Sequence, residues 1–419
     1  SRRHTLPRQN NEVSRSKNLR QVKTITRYIS SVTLCISPVT LLRNIQGPSD
    51  CSIVRSDCMR EGAALDTVNP YFGFNNQSEQ QVSILSLDSF TPAFVDPNHT
   101  KEETSRRFMT FFLENENQYS ASMVLRKAYN TLNECYALKS PLFYEDAFGA
   151  MKHKKTSQEA LQKNEEVQKK LTLEEYRSSL AVSHLKGFPR VFGLGNAKGK
   201  PVIIREYVKG ITLAAATELL PHVDIGTFAG IEPITVAAIA KAVLKTLLNA
   251  QSLEGAFVHR DLSPRNIIIR TERASLQQQV NSCCFDICLV DLGSASYIEA
   301  DSPFTTAQYG IWRFGTIEYA PPEMLTRDVE GIEGLRYSET IDTYALCSIM
   351  HLLLTLETPY QLASRINESP YLVKTKEEPQ IKPDVPVNKL LKLADMGIKP
   401  YQEERFSVRG LHKELSRLV

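Results

Sequence analysis

Between Arg106 and Lys209 the apolar residues fall into short runs, and beyond Ala237 they take up longer, helical spacings. Phe108 to Leu113, Met123 to Leu125 and Cys135 to Lys139 read as strands, because aromatic and branched side chains suit a half-buried pleated surface. Glu114 to Ser122 separates the first two of these runs. Residues 150–175 are charged and helix-prone, and Pro201 to Val208 reads as a further strand. Ile239, Val243, Leu247 and Leu248 repeat at the spacing of one helix face, which predicts a helix over Ala237 to Ser252 that stops near Gly255. Ile267-Ile268-Ile269 has the profile of a buried strand, and Ser338 to Leu356 that of a strongly apolar helix. Upstream of Arg106 the pattern dissolves. Residues 44–105 are rich in Ser, Asn, Pro and Gly with scattered apolar positions, so 1–105 is read as a partly ordered N-terminal extension.

Composition adds little to this picture, whereas the charge distribution adds more. The 42% hydrophobic content is ordinary for a globular chain. The net charge of +3 hides a tail: residues 1–25 hold seven Lys or Arg and one Glu. Such a tail is a candidate contact for acidic surfaces and more commonly a solvated arm, so no specific nucleic-acid partner is expected. Tyr28 to Leu42 is uncharged but is only fifteen residues long and is interrupted by Pro38. That is too short to span a hydrocarbon core of about 30 Å, so no transmembrane segment is expected. The eight cysteines form no C-x-x-C pair and no zinc spacing. With no secretory leader in view, free thiols and a cytoplasmic setting are the expectation.

The chemistry is concentrated at residues 258–270. His259-Arg260-Asp261-Leu262 stand in a row, and Asn266 follows five positions after Asp261. This is the spacing of a catalytic loop for phosphoryl transfer. That reaction needs a carboxylate to accept the proton of the attacking hydroxyl and oxygen ligands for a metal that bridges phosphates. Asp261 suits the first task and Asn266 the second. Downstream, Ile287-Cys288-Leu289-Val290 leads into Asp291-Leu292-Gly293, where Asp291 is a second metal candidate. Upstream, Lys139 closes an apolar strand.

With these motifs in this order, the chain resembles a eukaryotic-like Ser/Thr protein kinase. Ser263 in the catalytic loop is similar to the bacterial members. The resemblance spans about residues 106–419 and implies an α+β, bilobal fold: a β-rich N-lobe over 106–208 with one main helix, and a larger helical C-lobe over 209–419. It implies ATP and Mg²⁺ as cofactors, a protein substrate, Asp261 as base, and Asn266 and Asp291 on the metal. It also implies Lys139 on the α- and β-phosphates, held by Glu175 with Glu174 as the alternative. Counting back from Lys139 puts Val124 over the adenine and aligns Asn117, Tyr119 and Ser122 with the glycines of the phosphate loop, none of which is glycine here. Ala137 lines the nucleotide site, the backbone near Glu206 and Val208 meets the adenine edge, and Arg205 stands at the usual apolar gate, with Glu175 a conceivable partner. Gly315-Thr316 through Pro321-Pro322-Glu323 resembles the close of an activation segment, with Thr316 marking Ser/Thr specificity and Thr305 and Thr306 as phosphate acceptors. Arg260 would capture such a phosphate, Asp342 would brace the catalytic loop, and Glu323 would pair with Arg405. Two other readings stay open: a pseudokinase scaffold, motivated by the glycine-free loop, and a kinase-fold small-molecule phosphotransferase.

Overall fold

The structure, a computed structural model, describes residues 83–94, 100–119, 123–141, 158–225, 228–253, 257–297, 316–326, 333–365, 367–380 and 388–418. All of them belong to the compact unit Gly73–Val419. The basic tail and the uncharged Tyr28 to Leu42 stretch lie outside the described residues.

The N-lobe is built from β1 (Ser83–Ser86), β2 (Ser89–Pro92), α1 (Lys101–Arg107), β3 (Thr110–Tyr119), β4 (Met123–Asn130), β5 (Cys135–Pro141), α2 (Gln158–Val182), β6 (Val191–Ala197) and β7 (Lys200–Glu206). Its seven strands form one antiparallel sheet in the order β1-β3-β4-β5-β7-β6-β2. β1 and β2 therefore occupy opposite edges although only Leu87 and Asp88 separate them. The Leu87 N–H donates to the Met109 carbonyl at 2.8 Å and the Asp88 N–H to the Asn196 carbonyl at 2.7 Å. Two successive residues thus bridge the two edges and curl the sheet toward closure, which removes exposed strand edges. The boundary expected at residue 106 is corrected accordingly: residues 83–92 are part of the N-lobe sheet.

The enclosed face explains why these short strands hold. Phe90 stacks on Phe108 at 4.8 Å between ring centroids, Phe108 meets Tyr136 at 5.4 Å, and Tyr136 meets Phe192 at 5.0 Å. Such ring pairs add to the hydrophobic gain of their burial. α1 leads into this cluster and begins with a capping box in which Thr100 and Glu103 satisfy each other's backbone N–H. β3 runs on through the polar stretch Glu114–Tyr119, which had been expected to be loop. Cross-strand pairing holds it there, as Lys127 and Tyr129 of β4 both donate to the Glu114 carboxylate, at 2.6 and 2.9 Å.

The C-lobe follows with β8 (Gly210–Thr212), α3 (Leu213–Ala216), β9 (His222–Ile225), β10 (Phe228–Ile231), α4 (Pro233–Ala250), β11 (Phe257–Val258), β12 (Ile267–Arg270), α5 (Leu276–Ser282), β13 (Ile287–Leu289), β14 (Ser296–Tyr297), α6 (Thr340–Thr355), α7 (Pro370–Lys376), α8 (Lys389–Gly397) and α9 (Val408–Leu418). α4 is long and apolar enough to span a membrane by length and composition alone. Here its apolar side lies in the lobe's core with Tyr344, Leu346 and Met350 of α6. α6 is buried almost all round, as befits the central helix of a lobe. α5 occupies the stretch read as a Gln- and Cys-containing insertion. Its buried Gln279 is satisfied by donating to the Arg270 and Ala274 carbonyls and accepting the Asp286 N–H.

One ion pair ties the far end of the chain to the middle. Arg405 donates to Glu323 at 2.6 and 2.9 Å, to the Lys399 and Pro400 carbonyls, and lies 4.9 Å from the Tyr344 ring centroid. Both side chains are buried.

Two outcomes test this fold. A Cβ at Gly193 would meet the Phe90 ring and the Thr91 carbonyl of β2. Gly193→Ala should therefore lower stability by about 1–3 kcal/mol, read as a lower thermal midpoint. Arg405→Ala strands the Glu323 charge and should cost about 3–5 kcal/mol, read from the denaturant midpoint, with Glu323→Gln costing less.

Candidate active site

Asp342, on the first turn of α6, fixes the catalytic loop from behind. Its carboxylate accepts the His259 N–H at 2.8 Å and the Arg260 N–H at 2.9 Å. These bonds hold Arg260 at φ 65°, a left-handed conformation that a side chain disfavours. Burial pushes the Asp342 carboxyl up to about 7, although both N–H groups pull the other way. Burial also pushes the His259 imidazole down to about 4. A neutral ring then donates from Nε2 to the Val290 carbonyl, 3.1 Å away. The loop is thereby tied to the residue before Asp291.

Asp261 sits beyond that brace. Its Oδ1 accepts the Thr316 N–H at 2.8 Å and the Thr316 hydroxyl at 3.1 Å. Asn266 Nδ2 donates to the Asp261 carbonyl at 2.8 Å and to Oδ2 at 3.3 Å. Burial raises the carboxyl to about 6 against these donors, and the Asp291 charge adds to the rise. Asn266 and Asp291 flank neighbouring strand ends, because Ile267 of β12 pairs with Leu289 of β13 and the Val290 N–H donates to the Asn266 carbonyl at 2.9 Å.

Lys139 joins the lobes. Its Nζ lies 2.5 Å from Glu175 Oε1 and 2.7 Å from Asp291 Oδ1. Of the two neighbouring glutamates, Glu175 is the one that reaches it, since Glu175 is buried and Glu174 only half-buried. The Lys139 ammonium holds the Asp291 carboxyl well below the usual range, and the Arg205 charge adds to this. Arg205 pairs with Ala137 across β5 and β7, which puts it on the same face as Lys139. The Glu175 carboxylate meets Lys139, not Arg205.

Strand alternation corrects one expectation. Lys139 pairs with Leu125, while Val124 pairs with Ser140. Successive side chains point to opposite faces, so Val124 faces away from Lys139 and Leu125 is the residue that shares its face. Asn117 and Tyr119 lie on β3 with backbone register to Arg126 and Val124. Ser122, Thr305 and Thr306 lie outside the described residues. At the lobe junction, the Glu206 N–H is taken by the Arg190 carbonyl at 2.8 Å and its carboxylate pairs with Arg270. This N–H is therefore not open to an adenine edge. Val208 is half-buried and makes no hydrogen bond among the described residues. Arg260 lies 5.0 Å over the Tyr337 ring, and burial pushes its guanidinium down to about 9.

The donor set fits a hard cation. The Asn266 amide nitrogen is bound to Asp261, so its oxygen is left for another partner, and Asp291 offers a carboxylate of which about 38% is exposed. Amide and carboxylate oxygens suit Mg²⁺ or Ca²⁺ and not a thiol-seeking metal. No cluster of three His, Cys, Asp or Glu occurs among the described residues. The contact of Thr316 with Asp261 and the place of Leu125 carried no sequence signal of their own, since both depend on long-range register.

Comparison with known proteins agrees with this geometry. The protein kinase domain model matches residues 145–414, well over half of the chain, and leaves β1 to β5 outside the match. The human and mouse ribosomal protein S6 kinase alpha-4 are each 29% identical over 128 residues, covering 30% of this chain. The aligned part spans only 14% of the length of those relatives. On the family match and the geometry together, the chain belongs to the protein kinase family.

Proposed function

We propose that the chain transfers the γ-phosphoryl group of ATP, with Mg²⁺, to serine or threonine hydroxyls of a protein substrate. The observation that carries this is the meeting of Asp261, Asn266, Asp291, Lys139 and Glu175 at one junction between the lobes. Asp261 is the base: among the described residues only Asn266 donates to its Oδ2, and it takes the proton of the acceptor hydroxyl as the new P–O bond forms and ADP leaves. Lys139 exchanges its contact with Asp291 for the α- and β-phosphates, while Glu175 keeps it in place. Asn266 and Asp291 hold the cation, which neutralises charge on the phosphates when bound. Thr316, a hydrogen-bond donor to Asp261, supports the assignment to Ser/Thr hydroxyls. A phosphate on Thr305 or Thr306 is the proposed partner of Arg260.

A scaffold reading draws support from Arg205, buried on the Lys139 face where an apolar residue is usual. Labelled ATP separates the two readings. Transfer to the chain itself or to an acceptor protein by wild type, lost in both Asp261→Asn and Asp291→Asn, supports the enzyme; label retained by both variants, or absent from all three, contradicts it.

Two quantitative outcomes follow from the site. Asp261→Asn should lower kcat by roughly 10²–10⁴-fold, the usual worth of a positioned base. The raised carboxyl of Asp261 must lose its proton to act, so kcat/KM should fall about tenfold per pH unit below about 6 and level off above it. A pH profile flat from 5 to 7 would contradict that assignment.

A further inference from the structure

Lys374, on α7, has no exposed surface. A buried ammonium is costly unless its protons find acceptors. Its Nζ donates to the carbonyls of Ile317 at 2.8 Å, Glu318 at 2.9 Å and Ala320 at 2.7 Å. The rings of Tyr344 and Tyr360 stand 5.5 and 5.6 Å from it, a placement that favours a cation. The turn's own amides supply none of these three bonds, because the N–H groups of Tyr319 and Ala320 both go to the Thr316 carbonyl. A second anchor holds the same turn from the side, where the Glu318 carboxylate accepts the N–H groups of Leu362 and Ala363 at 3.3 and 2.8 Å. At its head the turn touches Asp261 through Thr316. Ile317 meanwhile remains 47% exposed.

We propose that Lys374 is a positioning residue for the protein substrate. By gathering three carbonyls it fixes the turn Thr316–Ala320, whose head meets the base and whose outer side is open to the polypeptide that carries the acceptor hydroxyl. This rests on the protein kinase reading above. Lys374 touches neither nucleotide nor the reacting atoms; it acts through the turn. Its effect therefore belongs to the acceptor protein and not to ATP.

Lys374→Met keeps the length and the ring contacts while removing the three donors. Dephosphorylated casein serves as acceptor and the whole chain is used. The variant should raise KM for casein by roughly tenfold or more while leaving KM for ATP within about twofold. Amide exchange should quicken in 316–325 and not in α4. Equal rises in both Michaelis constants, with exchange faster throughout, would reduce Lys374 to a core residue and overturn the proposal; so would an unchanged KM for casein. Lys374→Arg keeps the charge with a planar donor set that cannot reproduce all three bonds, and should give an intermediate KM. Should the methionine variant not fold, a wild-type casein KM in Lys374→Arg overturns the proposal. If wild type transfers no label to any acceptor, the kinase reading fails by itself, and exchange in 316–325 still decides whether Lys374 holds the turn.

Discussion

A buried ammonium with two carboxylates around it is the contact on which the rest of the molecule depends. Lys139 is bonded to Glu175 of α2 and to Asp291, two residues beyond β13, 36 and 152 positions away along the chain. Removing one member of such a cluster leaves a charge without compensation in a water-poor junction, which is more costly than the intact pair is favourable. The N-lobe sheet, the orientation of α2 and the turn at Asp291 must therefore be placed together. Arg205 on the same face balances the second carboxylate. The junction thus sets two cations, Lys139 and Arg205, against two carboxylates, Glu175 and Asp291.

The C-lobe solves a related problem with backbone groups. Arg260 and Asp291 both adopt positive φ, at 65° and 63°. Each such residue costs of order 1–3 kcal/mol and persists only when its surroundings over-determine it. Asp342 accepts the N–H of Arg260 with one oxygen and that of His259 with the other, and the His259 ring links its loop to Val290, the residue before Asp291. The strained points are thus fastened to α6, the most buried helix, and to each other. Asp261 gains a fixed direction from the same frame, while burial keeps its proton affinity near neutrality. Arg405, just before α9, and Lys374, on α7, fasten Glu323 and the carbonyls of Ile317, Glu318 and Ala320.

Much of this was legible in the chain, for identifiable reasons. The loop from His259 to Asn266, the strand leading to Asp291 and the Glu323–Arg405 pair are short motifs whose residue types stand out, and α4 and α6 are long enough for their apolar character to do the same. β1 and β2 were not legible: each has only four residues, Ser-Ile-Leu-Ser and Ser-Phe-Thr-Pro, too few to show a period, and each exists because an edge of the sheet receives it. α5 could have been found, since Ser275 and Gln278 spell a capping box. The face assigned to Val124 failed for a different reason. No glycine marks the preceding loop, and in a strand a shift of one residue moves a side chain to the other face, so the β4–β5 register alone decides that Leu125 shares the Lys139 face.

In the proposed function Lys139, Asn266 and Asp291 converge on one nucleotide and its cation. Calorimetric titration of the full chain with ATP, in the presence of Mg²⁺ and then of EDTA, tests it most directly. Binding to wild type should weaken when the metal is withdrawn, and should fall at least about tenfold in Lys139→Met and in Asp291→Asn. Binding that is indifferent to the metal and to both substitutions would contradict it.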